Sequence, residues 1–453
     1  LNPGSGASTP ASLVSMFLGE SAELGESSVQ YFERLEEAMR AQAKADGVDK
    51  ILFDIEIPLM PILAEIEKNG FKINSDGLTE FGEALSELAE DLTARMYMQA
   101  GHEFNINSPK HLGEVLFEEL AVPCQKKKTK TGYSTDAETL EELRAVSPIV
   151  DDILEYRQVT KLRGTYAAAL PEVADENHRI HTDFKQALTA TGRLSSANPN
   201  LQNIPVRTEE GRELRKLFIA SEGCVLLDAD YSQIELRLLA HLSGCKALIN
   251  AFKQNEDIHA LTASQVMKTT IDKVTPEMRR SAKAVNFGII YGMSGFGLGK
   301  DLGISTQKAQ EYIDKYFENY PEVKEFMNKN IERAKELGYT TTMFGRRRII
   351  HELKSTNYNI RSFGERAAMN MPLQGTSADI IKMAMIGVHN RLKKEGFKAK
   401  LVLQVHDELM IDCPIEEKDA VSEILQAEME NAVKLNVPLT AEVGVGKSWY
   451  SAK

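Results

Sequence analysis

The chain has 453 residues, 54 of them basic and 66 acidic, for a net charge of −12. At 42% hydrophobic and 26% charged it carries enough apolar material for a sizeable core, which excludes disordered, collagen-like and low-complexity classes. No apolar run approaches the ~18 residues that span a bilayer, and the first residues lack the cationic end and apolar stretch of a signal peptide. Read naively, the acidic balance argues against a nucleic-acid partner. A leading Leu1 in place of Met suggests a fragment. Cys124, Cys224, Cys245 and Cys413 are scattered without metal-ligand spacing, as expected in a reducing compartment.

In chain order, the stretch to about Gly47 is rich in Ser, Gly, Ala and Glu and predicts one helix over 29–44. From Lys50 the apolar residues become periodic. Leu78, Phe81, Leu85, Leu88 and Leu92 recur at helical spacing behind Asn74-Ser75, predicting a long amphipathic helix. Ser108-Pro109 reads as an N-cap with proline at the first helical position. A basic loop with Lys126, Lys127, Lys128 and Lys130 follows. It reads as a solvated surface loop or as a lysine-bearing tip that grips phosphates. Val225-Leu226-Leu227 predicts a short buried strand ending in Asp228-Ala229-Asp230, and 401–405 with 408–412 predict two strands around a tight turn. Helices with interspersed strands, and no regular alternation, point to an α+β fold.

Three clusters carry chemistry. In Asp228-Ala229-Asp230-Tyr231-Ser232-Gln233-Ile234-Glu235 a strand ends in carboxylates and a helix begins at once. Asp228 and Asp230 would face the same side, and either can hold a cation. Ser232 with Glu235 matches a capping box, so Glu235 reads as a helix cap. In Val405-His406-Asp407-Glu408-Leu409, adjacent acids stand at a hairpin tip, where turn chemistry accounts for only one of them. Mg²⁺ takes few protein carboxylates and keeps water and phosphate oxygens as its other ligands. A strand-end Asp beside a hairpin-tip Asp therefore suits a two-metal site, with ions ~4 Å apart. The third cluster is a helix opened by Thr275-Pro276. Steps of four residues drift only about 40° around such a helix, which sets Arg279, Lys283, Phe287 and Tyr291 along one stripe. Cations suit a triphosphate and aromatic faces suit a stacked base; the alternative is a solvated basic end followed by core aromatics.

Together the clusters resemble the family A DNA polymerases, the bacterial DNA polymerase I type. Asp-Tyr-Ser-Gln-Ile-Glu-Leu-Arg (230–237) resembles their motif A. Arg-Arg-Ser-Ala-Lys-Ala-Val-Asn-Phe-Gly-Ile-Ile-Tyr-Gly (279–292) resembles motif B, and Val-His-Asp-Glu-Leu (405–409) motif C. Thr-Ala-Thr-Gly-Arg-Leu-Ser-Ser (189–196) and Pro-Asn-Leu-Gln-Asn-Ile-Pro (199–205) are similar to further segments of that family. All occur in family order, from about Lys50 onward. The resemblance implies a right-hand fold of palm (antiparallel sheet), mostly helical fingers and helical thumb. The thumb with its base helices would fall at 49–172, the first palm part at 173–242, the fingers at 243–354 and the second palm part at 355–453. Residues 1–48 would be a remnant or truncated linker of an exonuclease domain.

By the same resemblance, Asp230 and Asp407, with the Tyr231 backbone, hold two Mg²⁺ ions, for which Mn²⁺ is a substitute. Glu408 is an accessory catalytic acid. Arg279 and Lys283 hold the triphosphate of an incoming dNTP with help from His259, and Lys283 is placed to protonate the pyrophosphate. Phe287 and Tyr291 pack on the sugar and base, Gln233 belongs to the same nucleotide site, and Glu235 blocks a ribose 2′-hydroxyl. Arg193, Gln374 and His406 meet the primer terminus and its minor groove, whose acceptors are nearly the same for every correct pair. Arg207, Arg366 and Asn370 line the cleft. Arg157, Lys161 and Thr165 join the lysine loop in gripping phosphates, which gives affinity without specificity. Arg346-Arg347-Arg348 reads as a solvated fingers turn, with a template contact as its alternative.

The implied reaction is template-directed addition of dNTPs to a primer 3′-hydroxyl by two-metal phosphoryl transfer, in a cytoplasmic, nucleoid-associated monomer acting in replication and repair. Rotation of helix 275–292 toward the palm would assemble the site around a paired nucleotide. About fifty residues ahead of the thumb leave no room for 3′–5′ or 5′ nuclease domains, so proofreading is expected to be absent. Asp54-Ile55-Glu56 mimics the Asp-x-Glu of an exonuclease site, but residues two apart on a helix diverge. The rival readings are a two-metal nuclease, which has no need of the Arg-Lys-Phe-Tyr stripe, and a catalytically impaired or engineered primer–template-binding fragment. Against the second stand Asp230, Asp407 and Lys283. Single-subunit RNA polymerases are more distant, since Glu235 and Phe287 fit deoxynucleotides. Arg193, Arg207, Arg279, Lys283 and Arg366 concentrate in the expected cleft, so the local sign there opposes the net charge.

Overall fold

The computed structural model describes residues 9–21, 26–123, 132–144, 146–206 and 208–453. The lysine loop (Lys126, Lys127, Lys128 and Lys130), Cys124 and Arg207 lie outside the described residues. Helices Pro10–Leu18 and Phe32–Ala45 come first, the second entered through a 3₁₀ turn at Glu26–Tyr31. A π-helical turn, Ile51–Glu56, runs directly into α1 (Ile57–Asn69), which buries Leu59, Ile62, Leu63 and Ile66. Asn74 caps α2 (Ser75–Ala100) by accepting the Gly77 N–H at 3.0 Å. Buried Leu78, Leu85, Leu92 and Met96 form its core stripe, which packs on α3 (Pro148–Leu162).

At the centre lies an antiparallel sheet of β1 (Cys224–Tyr231), β2 (Lys400–Val405), β3 (Glu408–Pro414) and β4 (Ala441–Gly446), in the order β4-β1-β3-β2. Strand β1 is longer than the predicted Val225-Leu226-Leu227. It has a partner on each side, so its ladder continues through both aspartates, and Asp230 lies opposite Glu408 and Glu442. The β2–β3 hairpin reverses over His406-Asp407, with His406 at φ +52°.

Around the sheet are α4 (Ile234–Ser243), α5 (Ile258–Val266), α6 (Pro276–Ile290), α7 (Tyr358–Glu395) and α8 (Lys418–Glu430). The 38-residue α7 continues through Pro372 and packs against α1, α4 and α8. One apolar cluster extends from Leu59 to Trp449, whose ring lies 5.6 Å from Phe218 and 6.0 Å from Phe71. Among the described residues no helix is long and apolar enough to cross a membrane.

Two local expectations are corrected. Ser232 and Glu235 do not form a capping box: Gln233 takes the N-cap position in the left-handed region, φ +54°, and no side chain caps α4. Because β1 runs on to Tyr231, the chain must reverse sharply at Gln233. The Ser232 N–H bonds to the Thr440 carbonyl at 2.9 Å, and Glu235 is claimed by Arg193. Arg346 is not part of a solvated turn. It is 8% exposed and paired with Glu56 and with Asp379 (2.7 Å), because a buried guanidinium needs both a counter-charge and acceptors. Arg347 reaches Asp46 at 2.9 Å.

Candidate active site

The sheet register assembles the carboxylates. Asp230 ends β1 opposite Glu408, and the Tyr231 N–H donates to the Asp407 carbonyl at 3.2 Å, tying the hairpin tip to that strand. The four acids then divide by burial. Asp228 and Glu408 are buried, whereas the side chains of Asp230 and Asp407 remain 48% and 25% exposed. Burial, then Glu408, pushes the Asp228 carboxyl up to about 9, so it stays protonated, and neither of its buried oxygens has a hydrogen-bond partner. Glu408 also accepts the Trp449 indole N–H at 2.9 Å and pairs with Lys453. Burial pushes Asp230 up to about 6; Lys453, 3.6 Å away, opposes the rise, and Glu408 and Asp407 add to it.

From this floor a row of contacts leads to the aromatic end of α6. The Ser377 hydroxyl donates to Asp407 at 3.2 Å, and Arg193 lies 3.9 Å from the same carboxylate. Arg193 donates to Glu235 Oε1 at 2.9 Å, and the Tyr291 hydroxyl donates to Glu235 Oε2 at 3.2 Å. Glu235 is buried, and that burial raises its carboxyl while Arg193 lowers it. Tyr291 is pushed up to about 12 by burial and by Glu235, so it remains a donor. Its ring stacks at 18° on Phe287, with centroids 6.5 Å apart, and Phe287 in turn lies 6.1 Å from His259. At the other end Arg279 is exposed and paired with Asp257 at 2.6 Å. Lys283 is exposed between them. Arg279 and Tyr291 are about 18 Å apart along the helix axis.

Not every expected residue stands free. His259 is 3% exposed, accepts at Nδ1 from the Asn286 side-chain amide (3.0 Å), and is pushed down to about 4 by burial and Arg279. It is a neutral imidazole, not a cation. Gln233 holds a buried side-chain oxygen with no partner, as does Asn370. Arg366 bonds Ser362 at 2.9 Å and packs under Gly292, at φ +62°, where a Cβ would come within 3.1 Å of it. Gln374 lies beside the Tyr291 hydroxyl, and His406 is exposed at the hairpin tip. Arg157 spends its guanidinium on the Thr135 carbonyl and hydroxyl, while Lys161 and Thr165 are exposed on α3 and the π-helical turn Arg163–Ala167. Sequence reasoning missed Trp449, Lys453 and Asn286, which hold Glu408 and His259 from behind. The lone tryptophan near an acid-lined sheet was the available signal.

Among the described residues, no three His, Cys, Asp or Glu side chains converge as a closed metal cage. The open pair Asp230 and Asp407 instead fits a hard divalent cation that shares its shell with phosphate oxygens. The family model for DNA polymerase family A matches residues 75–451. The chain belongs to DNA polymerase family A, and its α+β architecture is the right-hand fold of a family A polymerase domain. It is 51% identical over 427 residues to DNA polymerase I of Caldicellulosiruptor bescii, covering 94% of this chain and 50% of that protein. It is 49% identical over 422 residues to DNA polymerase I of Bacillus caldotenax, covering 92% of this chain and 48% of the relative. The chain thus spans about half the length of the curated relatives it matches. The solved POL domain of Pol1 from M. smegmatis, in complex with DNA primer-template and dNTP, superposes with a TM-score of 0.95 at 39% identity, over 100% of this chain and 80% of that one.

Proposed function

We propose that this chain is a DNA-directed DNA polymerase that adds dNTPs to a primer 3′-hydroxyl with release of pyrophosphate. The observation that carries this reading is the row of contacts from the carboxylate floor through Arg193, Glu235 and Tyr291 to Phe287, on the same helix that presents Arg279 and Lys283 to solvent. A nuclease needs the floor but not the row. The primer 3′-hydroxyl loses its proton to solvent water as its oxygen forms a bond to the α-phosphorus, and the bond from that phosphorus to the α–β bridging oxygen breaks, releasing pyrophosphate. Asp230 and Asp407, with the Tyr231 carbonyl, would hold Mg²⁺, or Mn²⁺ in its place. Bound there, the metal supplies Lewis-acid activation of the hydroxyl and charge neutralisation on the phosphates.

The remaining steps belong to the chain's own residues. Lys283 and Arg279 bind the triphosphate, and Lys283 protonates the departing pyrophosphate. Arg279 must exchange Asp257 for phosphate, so its charge is held in place before the nucleotide arrives. Phe287 and Tyr291 offer flat faces to base and sugar. Glu235, fixed by two donors, occupies the space a 2′-hydroxyl would need. His259 serves as a neutral hydrogen-bonding wall. Gln233 belongs to the nucleotide site, while Gln374, His406, Arg366, Asn370 and Arg193 follow the primer–template near its terminus, a role the family resemblance also gives Arg207. Lys161, Thr165 and the loop lysines hold the duplex backbone, and Arg157 joins them by exchanging its bonds to Thr135 for a phosphate.

The same reading assigns 49–172 as thumb, 173–242 and 355–453 as palm, and 243–354 as fingers, with α6 rotating toward the sheet on nucleotide binding. Proofreading is not assigned to these residues: Asp54 is exposed while Glu56 is buried in ion pairs, so they form no metal pair. The reading further takes the protein to be a monomer that works in the cytoplasm on the nucleoid. The test is extension of a labelled primer with dNTPs and Mg²⁺, with a matched and a mismatched 3′ end. Templated extension from the matched end with pyrophosphate release is expected, without removal of the mismatch. Degradation of the strand in place of extension would overturn the proposal.

A further inference from the structure

Glu56 precedes the matched residues 75–451, yet it sits at the centre of a buried charge network that supports Arg193. It accepts from the Arg346 guanidinium, from Lys382 Nζ at 2.8 Å and from Gln186. Lys382 is fully buried, and Glu56 is its ion-pair partner. Arg346 is held on its other side by Asp379 at 2.7 Å, which accepts a further bond from Thr342 at 2.7 Å.

This network grips both ends of the segment leading into Arg193. At one end the Gln186 side chain donates to the Glu56 carbonyl at 2.8 Å. At the other, Gly192 rests on Arg346 at φ +82°, so closely that a Cβ would lie 2.6 Å from both Cδ and Nε of the arginine. Between them the Thr189 hydroxyl donates to the Arg193 carbonyl at 2.7 Å, and the Gly192 N–H bonds to the Thr189 carbonyl at 3.2 Å. The turn is therefore a small closed unit whose orientation is inherited from Arg346. A pocket of about 210 Å³ lies beside it, lined by Leu52, Met60, Thr189 and Gly192 among others, so close packing does not fix the turn from that side. The charges do.

We propose that Glu56 is a positioning residue for Arg193, acting through Arg346 and Gly192 to set the arginine against Glu235 and the Asp407 edge of the site. This rests on the polymerase reading above. A displaced Arg193 releases one of the two donors that fix Glu235, so sugar selection changes together with incorporation rate. Misplacing a group at a reacting centre by about 1 Å costs up to about 10²-fold, and a shift relayed through one turn costs less.

The test is single-nucleotide incorporation by the full chain, comparing Glu56→Gln in two backgrounds, Arg193 intact and Arg193→Ala. With Arg193 intact, Glu56→Gln should lose roughly tenfold in kcat/KM for the dNTP and narrow the deoxy-to-ribo discrimination, with primer–template Kd unchanged to within about twofold. In the Arg193→Ala background the same substitution should cost less than about twofold, because the residue it acts through is gone. Equal losses in both backgrounds, or no loss in either, would overturn the role of Glu56. Should Glu56→Gln fail to fold by thermal melting, Gly192→Ala replaces it under the same expectation, since it leaves every charge in place. An unsubstituted chain that fails to extend primers counts against the polymerase reading instead, so the two failures are distinguishable.

Discussion

The carboxylate floor and helix α6 carry opposite charges by opposite means. On the floor, Asp228 and Glu408 are buried, Glu408 against Trp449 and Lys453, and their positions are set by strand register before any ligand arrives. On α6, Arg279 and Lys283 project into solvent, and a single exposed pair with Asp257 restrains the first of them. The floor holds like charges together at a cost in folding stability; the helix keeps its charges hydrated until phosphate replaces water. Substitutions on the floor should therefore separate stability from activity, while substitutions on the helix should change nucleotide binding and little else.

The sharpest way to break this contrast is Asp230→Ala. Extension should fall by roughly 10³-fold or more, with primer–template affinity by fluorescence anisotropy unchanged to within about twofold. Lys283→Ala should lower kcat/KM for dNTP by about 10²-fold and leave the melting temperature alone, as an exposed side chain requires. If the melting temperature falls with it, the helix is not the loose partner described here. Glu235→Ala should relax discrimination against rNTPs by roughly tenfold or more, read from paired incorporation rates.

A pH series sharpens the floor. Asp230 titrates at about 6 in the folded chain against a reference value of 3.8, so the folded state binds the proton more tightly. The stability this contributes is full below pH 3.8 and is lost as pH rises through about 6. Without metal, Asp230→Asn should accordingly melt a few degrees higher than the unsubstituted chain near neutral pH, with the gap closing on acidification. An unchanged gap would remove the charge explanation. The smallest effect belongs to the proposed thumb: Lys161→Ala should reduce the salt slope of primer–template binding by about one, without altering nucleotide selection.

Asp230, Asp407, Arg279, Lys283, Phe287 and Tyr291 sit in short contiguous strings that the family resemblance picks out; helical spacing aligns only the last four, and spacing alone does not choose between Asp228 and Asp230. The fold class followed from strands interspersed among capped helices, such as Thr275-Pro276 before α6. What escaped depends on long sequence separation. Arg346 looked solvated because its partners Glu56 and Asp379 lie 290 and 33 positions away. The supports of Glu408 are 41 and 45 positions off. The capping box was locally valid, but Gln233 had to reverse the chain after a strand whose end the local pattern had set too early.

Trp449 is the sole tryptophan in the chain, fully buried, with its indole N–H on Glu408. Nature has thereby placed one intrinsic fluorophore against the charged floor of the site. An indole's emission maximum shifts with the local field, so a change of charge beside Glu408 is expected to move the Trp449 emission without a label and without turnover. Cation titration, proton uptake and nucleotide arrival thus become spectroscopic events reported by a single indole.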